Sequence, residues 1–358
     1  MPHTILRIDR SPLAKRSVSS KSTSKVFAEL KAKEAVRPKI GLALGSGGAR
    51  GLAHIGAIKV LEEHGIPIDL IAGTSIGAMI GGLYAAGLSV REIEEIALSS
   101  DWRTVLNVFL EPPLKQGLIK GEKTRAFIEK YLGNKTFDDS RIPFAAVATN
   151  LKTGDIVVLD KGRLVPAIRA SVSIPLVYCP VEIAGNVLAD GALSAPVPVQ
   201  IVRNMGAELV IAVNLGKHHY DETRKPGLYD IANDSLSIMQ HHLALRDTAS
   251  ADVVIDVNVT AESWYDFANA RSKIQAGEEA ARGLMPRIRE KISEKSKGSP
   301  KEYLKSFEQN IRTDLLRQFA EKGVRLLAPG IYMSHLAKSL QAGETTQEST
   351  DSAAKGAT

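Results

Sequence analysis

From Pro38 onward the chain alternates short unbroken apolar runs with segments whose apolar residues recur every three or four positions. Ile40 to Leu44 is such a run and predicts a buried strand. Beyond a Gly-rich loop, Leu52, Ile55, Ile58 and Leu61 fall at helical spacing with Glu62 and Glu63 on the outer side, and the helix ends near Gly65, before Pro67. Ile68 to Ala72 predicts a second buried strand, followed by an apolar helix that runs to about Ala86 and stops at Gly87. The result is a β-loop-α-β-turn-α unit with a parallel pair of strands.

Further along, Ser89 caps a helix reaching about Ser100, and Trp102 to Gly121 reads as an irregular excursion of the kind that shapes a pocket. A helix over 122–132, strands over 144–149 and 156–159, and a short helix over 165–173 follow. Val181 to Ala189 predicts a hairpin folded at Gly185-Asn186 that delivers Asp190-Gly191-Ala192 as it leaves the sheet. A helix over 198–205 leads to a strand over 209–214, and helices are expected over 226–246, 271–296 and 300–327. This alternation over residues 40–260 predicts an α/β fold, with helices on both faces of a mostly parallel sheet. From Ala342 the chain is poor in apolar residues, and disorder is expected there.

Composition narrows the class. The 358 residues are 44% hydrophobic and 24% charged, a profile of one large or two ordinary globular domains. The single cysteine, Cys179, permits neither an internal disulfide nor a multi-cysteine metal site. The first residues lack the apolar run and small-residue cleavage site of a secretory leader, so a reducing, cytoplasmic compartment is the expectation. Ile66 to Val90 carries only Asp69 as a charge but is broken by five glycines, and it reads as strand plus helix, not as a membrane span.

Charge is unevenly placed. Residues 1–40 hold ten Lys or Arg against three acidic residues, so +7 of the formal net +6 sits there and the rest of the chain carries −1. A nearly neutral body without an aromatic-interleaved basic patch argues against a nucleic-acid partner. Residues 1–37 form a basic, Ser-rich arm, an unstructured terminus by default and a candidate for peripheral contact with an anionic membrane on its inner face.

Two short motifs carry candidate chemistry. Gly73-Thr74-Ser75-Ile76-Gly77 has the form G-x-S-x-G, directly after a predicted strand and before a helix, the context of a nucleophile elbow. Small residues two positions either side let strand and helix approach closely, and Ser75 would present its Oγ at the positive end of the following helix. Upstream, Gly45-Ser46-Gly47-Gly48-Ala49-Arg50-Gly51 also follows a strand and opens a helix, so its amides converge on one concavity. A phosphate-binding P-loop would need Gly-Lys-Ser/Thr where Arg50-Gly51-Leu52 stands, and a dinucleotide fingerprint would need glycine at 50. An oxyanion hole built from Gly47, Gly48 and Ala49 explains the loop's place beside a serine nucleophile.

A serine nucleophile needs a base. Of the eight histidines, His218 and His219 form the only plausible late pair, while His54 lies one turn into the first helix and reads as helix packing. Asp190 is the stronger candidate, leaving a strand at a glycine turn; a carboxylate base needs partial desolvation to raise its basicity, and an Asp-Gly turn is the bland alternative. Arg50 reads as a loop-fixing residue before a phosphate ligand.

Gly41 to Gly51, the elbow at Gly73 to Gly77, and Asp190-Gly191-Ala192, with Arg169-Ala170-Ser171, Ser173-Ile174-Pro175 and Ala195-Pro196-Val197-Pro198 around them, resemble the patatin-like phospholipase family, in particular its bacterial and neuropathy-target-esterase-like members. The resemblance covers about residues 38–216. It implies a three-layer α/β/α domain and a Ser-Asp dyad with Ser75 as nucleophile and Asp190 as base, requiring no histidine, calcium or other cofactor. Gly45, Arg50, Gly51, Gly73, Gly77 and Gly191 would support the site. Ser46 replaces the first glycine of the family's usual loop. The implied activity is lipid acyl-ester hydrolysis through an acyl-serine, with two rivals: a transacylase using the same acyl-enzyme, and a non-catalytic lipid-binding module. The resemblance says little about residues 217–358; the sequence pattern predicts a basic, flexible arm over 1–37, a catalytic core over 38–216, a mainly helical part over 217–335 packed on it, and a disordered tail over 336–358.

Overall fold

Five consecutive apolar residues form the central strand, β1 (Ile40–Leu44), and all five are buried, as expected of a parallel strand covered on both faces. A 3₁₀ turn, Gly48–Leu52, opens α1 (Ala53–Glu63). The crossover returns to β2 (Leu70–Thr74), equally buried, and leads into α2 (Ile76–Ala85). Then come α3 (Val90–Leu98), α4 (Glu122–Leu132), β3 (Phe144–Asn150), β4 (Ile156–Leu159) and α5 (Leu164–Ser171). The hairpin β5 (Val181–Ile183) and β6 (Asn186–Asp190) is followed by α6 (Val199–Asn204) and β7 (Leu209–Asn214). The last elements are α7 (Leu228–Thr248), β8 (Val253–Asp256) and α8 (Ala270–Lys295). The computed structural model describes residues 37–99, 119–215, 227–259 and 269–296, all within one compact unit, Met1–Tyr303. The arm to residue 36, most of the 102–121 excursion, His218, His219, the 300–327 helix and the tail lie outside the described residues.

The strands form one sheet in the order β5-β6-β3-β2-β1-β7-β8, with β4 paired to β3. β3, β2, β1, β7 and β8 run parallel, while β4 and β6 are antiparallel to β3. A row of alanines crosses the middle of the sheet in register, Ala145 beside Ala72 beside Ala43 beside Ala212. That row packs with Val199 and Val202 of α6 and Ala244 of α7 on one face. The opposite face carries α1, α2, α5 and α8, so the domain has three layers, α/β/α, around a mostly parallel sheet. Each fully buried Ile or Leu contributes about 1.5–3 kcal/mol, and the sheet's two faces supply most of them.

α1 and α8 cross almost backbone to backbone. A Cβ added at Gly56 would lie 2.0 Å from Ile274 O, and one at Gly277 would lie 2.0 Å from Ala53 O, so only glycine admits this approach.

One boundary and one strand differ most from the sequence pattern. β2 begins at Leu70 instead of Ile68, because Asp69 is occupied as a bracket: its amide donates to Ile40 O, and its carboxylate accepts from the Ile40 amide and, in a fork, from both guanidinium nitrogens of Arg37 at 2.6 and 2.8 Å. β8 adds an eighth strand, from an apolar run of three residues too short to stand out.

Candidate active site

The chain reverses direction across the sheet at β1, with β2 on one side and β7 on the other, and ligands of open α/β sheets gather in the crevice at such a switch point. The loop leaving β1 is tied there by its own amides, Gly45 N–H donating to Val213 O and Ser46 N–H to Pro196 O. Arg50 N–H turns back to Gly47 O, and the Arg50 guanidinium also donates to that carbonyl at 3.3 Å. Among the described residues the amides of Gly47, Gly48 and Ala49 have no backbone acceptor, at the start of a 3₁₀ turn where such donors are expected to be open. The loop is thereby shaped for an anion or a developing oxyanion.

Ser75 stands between β2 and α2 with φ 58° and ψ −123°, a left-handed backbone that a non-glycine residue holds only under constraint. The constraint is visible. A Cβ at Gly77 would sit 2.2 Å from Leu44 O, and one at Gly73 would sit 2.5 Å from Gly77 O, so the two glycines let strand, helix and oxyanion loop close on one another. The Ser75 amide donates to Ser171 Oγ at 2.9 Å, and Ser171 in turn donates to Val147 O at 2.6 Å. Although Ser75 occupies the cap position of α2, its hydroxyl does not cap the helix. It donates instead to Asp190 Oδ2 at 2.5 Å.

Asp190 reaches Ser75 by register. Thr74 pairs with Val147 and Asp190 with Ala148, so the last residue of β6 faces the elbow across the single intervening strand β3. Its other oxygen, Oδ1, accepts from the Ala192 amide at 2.8 Å, while its backbone is held by Ser173 O and the Thr149 hydroxyl. Gly191 follows because a Cβ there would strike Val147 O at 2.3 Å. Asp190 is almost wholly buried, and that desolvation pushes its carboxyl up to about 7 against the opposing bonds from Ser75 and Ala192. A carboxylate so placed is a stronger base than one in water.

The supporting residues split by role. His54 is fully buried; its Nε2 donates to Gly45 O at 2.7 Å, while Nδ1 has no hydrogen-bond partner. Burial outweighs that bond and lowers the imidazole to about 4, so His54 is neutral near pH 7 and braces the oxyanion loop from beneath. It does not face Ser75 with a hydrogen bond. Gly51 admits Ile76, whose Cγ2 would meet an added Cβ at 2.2 Å. Arg169 is also buried: it donates to Ser173 Oγ and Lys120 O and lies over the Tyr178 ring, fixing the segment that holds the Asp190 amide.

Ser75 and Asp190 open into a cavity bounded by Gly47, Gly48, Arg50, Ile174 and Pro175 and roofed by Asn233, Leu236, Ser237 and Gln240 of α7. A second, smaller hollow continues past Arg50 toward Asn214 and His241. Among the described residues no group of three or more His, Cys, Asp or Glu is arranged to hold a metal ion, and no helix is long and apolar enough to cross a membrane. The sequence motifs thus converge on one place. The roof and the Ser171 clamp were not legible there: the roof has no motif, and Arg169-Ala170-Ser171 gave a signature without its role.

The patatin-like phospholipase family model matches residues 42–203. An uncharacterized NTE family protein of Mycobacterium tuberculosis is 42% identical over 189 residues, 52% of this chain and 52% of its own. Lysophospholipase NTE1 of Debaryomyces hansenii is 37% identical over 183 residues, 49% of this chain and 12% of its own. The chain therefore spans about half the length of the first of these relatives and far less of the second. Of solved structures, VipD from Legionella pneumophila aligns with a TM-score of 0.42 at 12% identity, covering 70% of this chain and 67% of that one.

Proposed function

From the premise that the chain carries a patatin-like phospholipase domain over residues 42–203, we propose that it is a lipid acyl-ester hydrolase working through a Ser75–Asp190 dyad and an acyl-serine intermediate. The observation that carries the reading is the 2.5 Å hydrogen bond from the Ser75 hydroxyl to a buried carboxylate, on the floor of a cavity that also presents the open Gly47 and Gly48 amides. Asp190 Oδ2 takes the hydroxyl proton as Ser75 Oγ attacks the ester carbonyl, and the loop amides together with the N-terminal end of α2 receive the negative charge on the carbonyl oxygen. Collapse expels the alcohol, which takes the proton back from Asp190. Water then gives its proton to Asp190, attacks the acyl-serine and releases the carboxylic acid, returning the proton to Ser75. A base near pH 7 suits both halves, because it is deprotonated for attack and acidic enough to reprotonate a leaving group. The apolar side chains of Ile174, Pro175 and Leu236 offer the acyl chain a wall.

Covalent labelling by a fluorophosphonate, located by mass spectrometry, tests the reading. Modification is expected at Ser75 in the wild type, at no residue in Ser75→Ala, and more slowly in Asp190→Asn; ester turnover should fall by about 10³-fold or more in both variants. Folded protein that hydrolyses esters equally well without the Ser75 hydroxyl would sink the mechanism.

A further inference from the structure

We propose that the outer face of α7, with Leu176 at the cavity rim, is the surface by which the protein seats on a lipid surface bearing anionic headgroups, bringing the mouth of the Ser75 cavity onto that surface. The inference rests on the lipid-hydrolase reading above for its choice of occupant.

α7 has two working faces. Its inner face roofs the cavity through Leu236, Ser237 and Gln240, and Ala244 and Thr248 are buried beneath it. Its outer face exposes Leu228 by 86%, Ile231 by 53%, Ile238 by 43%, Met239 by 61% and Leu245 by 52%. These positions recur at helical spacing and form one stripe, whose other exposed members are Ser235, His242 and Arg246. A helix facing only water would carry carboxylates and lysines there; this stripe has neither. Among the described residues the other exposed large apolar side chains are Leu151, Ile156 and Val158 at the β3–β4 turn and β4, and Leu176. Leu176 directly follows Pro175 of the cavity wall and holds φ 67°, a left-handed backbone that costs a leucine free energy, while its side chain stays 39% exposed.

Three arguments select a lipid surface as the occupant. The stripe belongs to the helix that roofs the site, on the side turned away from the cavity. Its one permanently charged side chain, Arg246, is cationic and pairs with Asp247, and residues 1–40 of the sequence add +7, which complements an anionic surface. Finally, a stripe about 26 Å long and about 10 Å wide offers roughly 250 Å², well short of the roughly 800 Å² per partner of a stable protein interface but ordinary for a helix lying in a headgroup layer.

The test separates docking from chemistry by using full-length Ser75→Ala protein and phosphatidylcholine vesicles with and without phosphatidylglycerol. Cosedimentation is expected with the anionic vesicles, and combining Ile231→Ser, Ile238→Ser and Leu245→Ser should weaken it about tenfold or more. In the catalytic background the same triple variant should hydrolyse vesicle phospholipid correspondingly more slowly while a water-soluble short-chain ester turns over at the wild-type rate. A single Ile238→Trp should report the contact as a blue shift of emission on adding anionic vesicles. Unchanged vesicle binding by the triple variant would overturn the proposal. So would emission already blue without vesicles, which would mean that another part of the chain covers the face, or a dimer that dissociates on substitution, which would give the face to a second copy. Absent turnover of the soluble ester by the wild type would sink the catalytic reading alone, since vesicle binding by Ser75→Ala still decides the docking face.

Discussion

The Asp190 carboxylate accepts two hydrogen bonds, and their balance against its burial sets how the site should respond to pH. Burial raises its carboxyl to about 7, while the bonds from Ser75 Oγ and the Ala192 amide hold it from rising further. The base must be unprotonated, so kcat/KM for a soluble ester should rise about tenfold per pH unit below 7 and level off above it. An ordinary histidine base would give a similar inflection, which makes His54 the necessary control. Its imidazole is lowered to about 4 and its Nε2–H is spent on Gly45 O, so it gives up its second ring proton well below the inflection and stays neutral across it. His54→Gln should therefore keep the inflection near 7, and Asp190→Asn should abolish it along with most of the rate. A profile that shifts with His54 and ignores Asp190 would overturn the assignment.

At the scale of elements, close backbone crossings decide where the protein tolerates a methyl group. Gly77→Ala places a Cβ against Leu44 O and Gly45 O at the elbow, whereas Gly283, inside α8, has nothing within 4 Å of an added Cβ. Both substitutions gain helix propensity, up to about 1 kcal/mol. Gly283→Ala should keep that gain and raise the urea midpoint, while Gly77→Ala should lose about 1–3 kcal/mol net to overpacking and lower it. Equal midpoints would mean that the elbow can relax and that its tight crossing is not required. The same contrast explains what was legible in the chain. The elbow, the oxyanion loop and Asp190 rest on local signals: glycines at fixed offsets, an apolar strand before them, a helix after. The Ser171 hydroxyl under the Ser75 amide and the alanine row across the sheet are tertiary, and no local pattern announces them. α7 was found as a helix but its role was hidden, because apolar residues on both its inner and its outer face erase the contrast by which one buried stripe is recognised.

For the whole molecule, the same two buried groups, Asp190 and His54, pull stability in opposite directions as pH changes. Asp190 holds its proton more tightly folded, near 7, than unfolded, near 3.8, so its contribution is most favourable in acid and is lost as pH rises from about 4 to 7, roughly 4 kcal/mol in all. His54 binds its proton more weakly folded, near 4, than unfolded, near 6.5, so its contribution is full above 6.5 and is lost as pH falls toward 4, roughly 3 kcal/mol. Between pH 4 and 6.5 one group's loss is the other's gain, and their two contributions nearly cancel in the wild type. Removing either exposes the other. Asp190→Asn should grow more stable with rising pH by about 1.4 kcal/mol per unit across this window, and His54→Gln should grow less stable by a similar amount. Urea unfolding of both variants at pH 4.5, 5.5 and 6.5 reads the difference directly, and the other carboxylates and histidines cancel because both variants share them. Diverging slopes would mean that deprotonating the base near neutral pH costs folding free energy and that holding the loop-bracing histidine neutral costs it in acid. Parallel slopes would mean that neither group is as deeply desolvated as its burial requires, and the basicity assigned to Asp190 would fall with them.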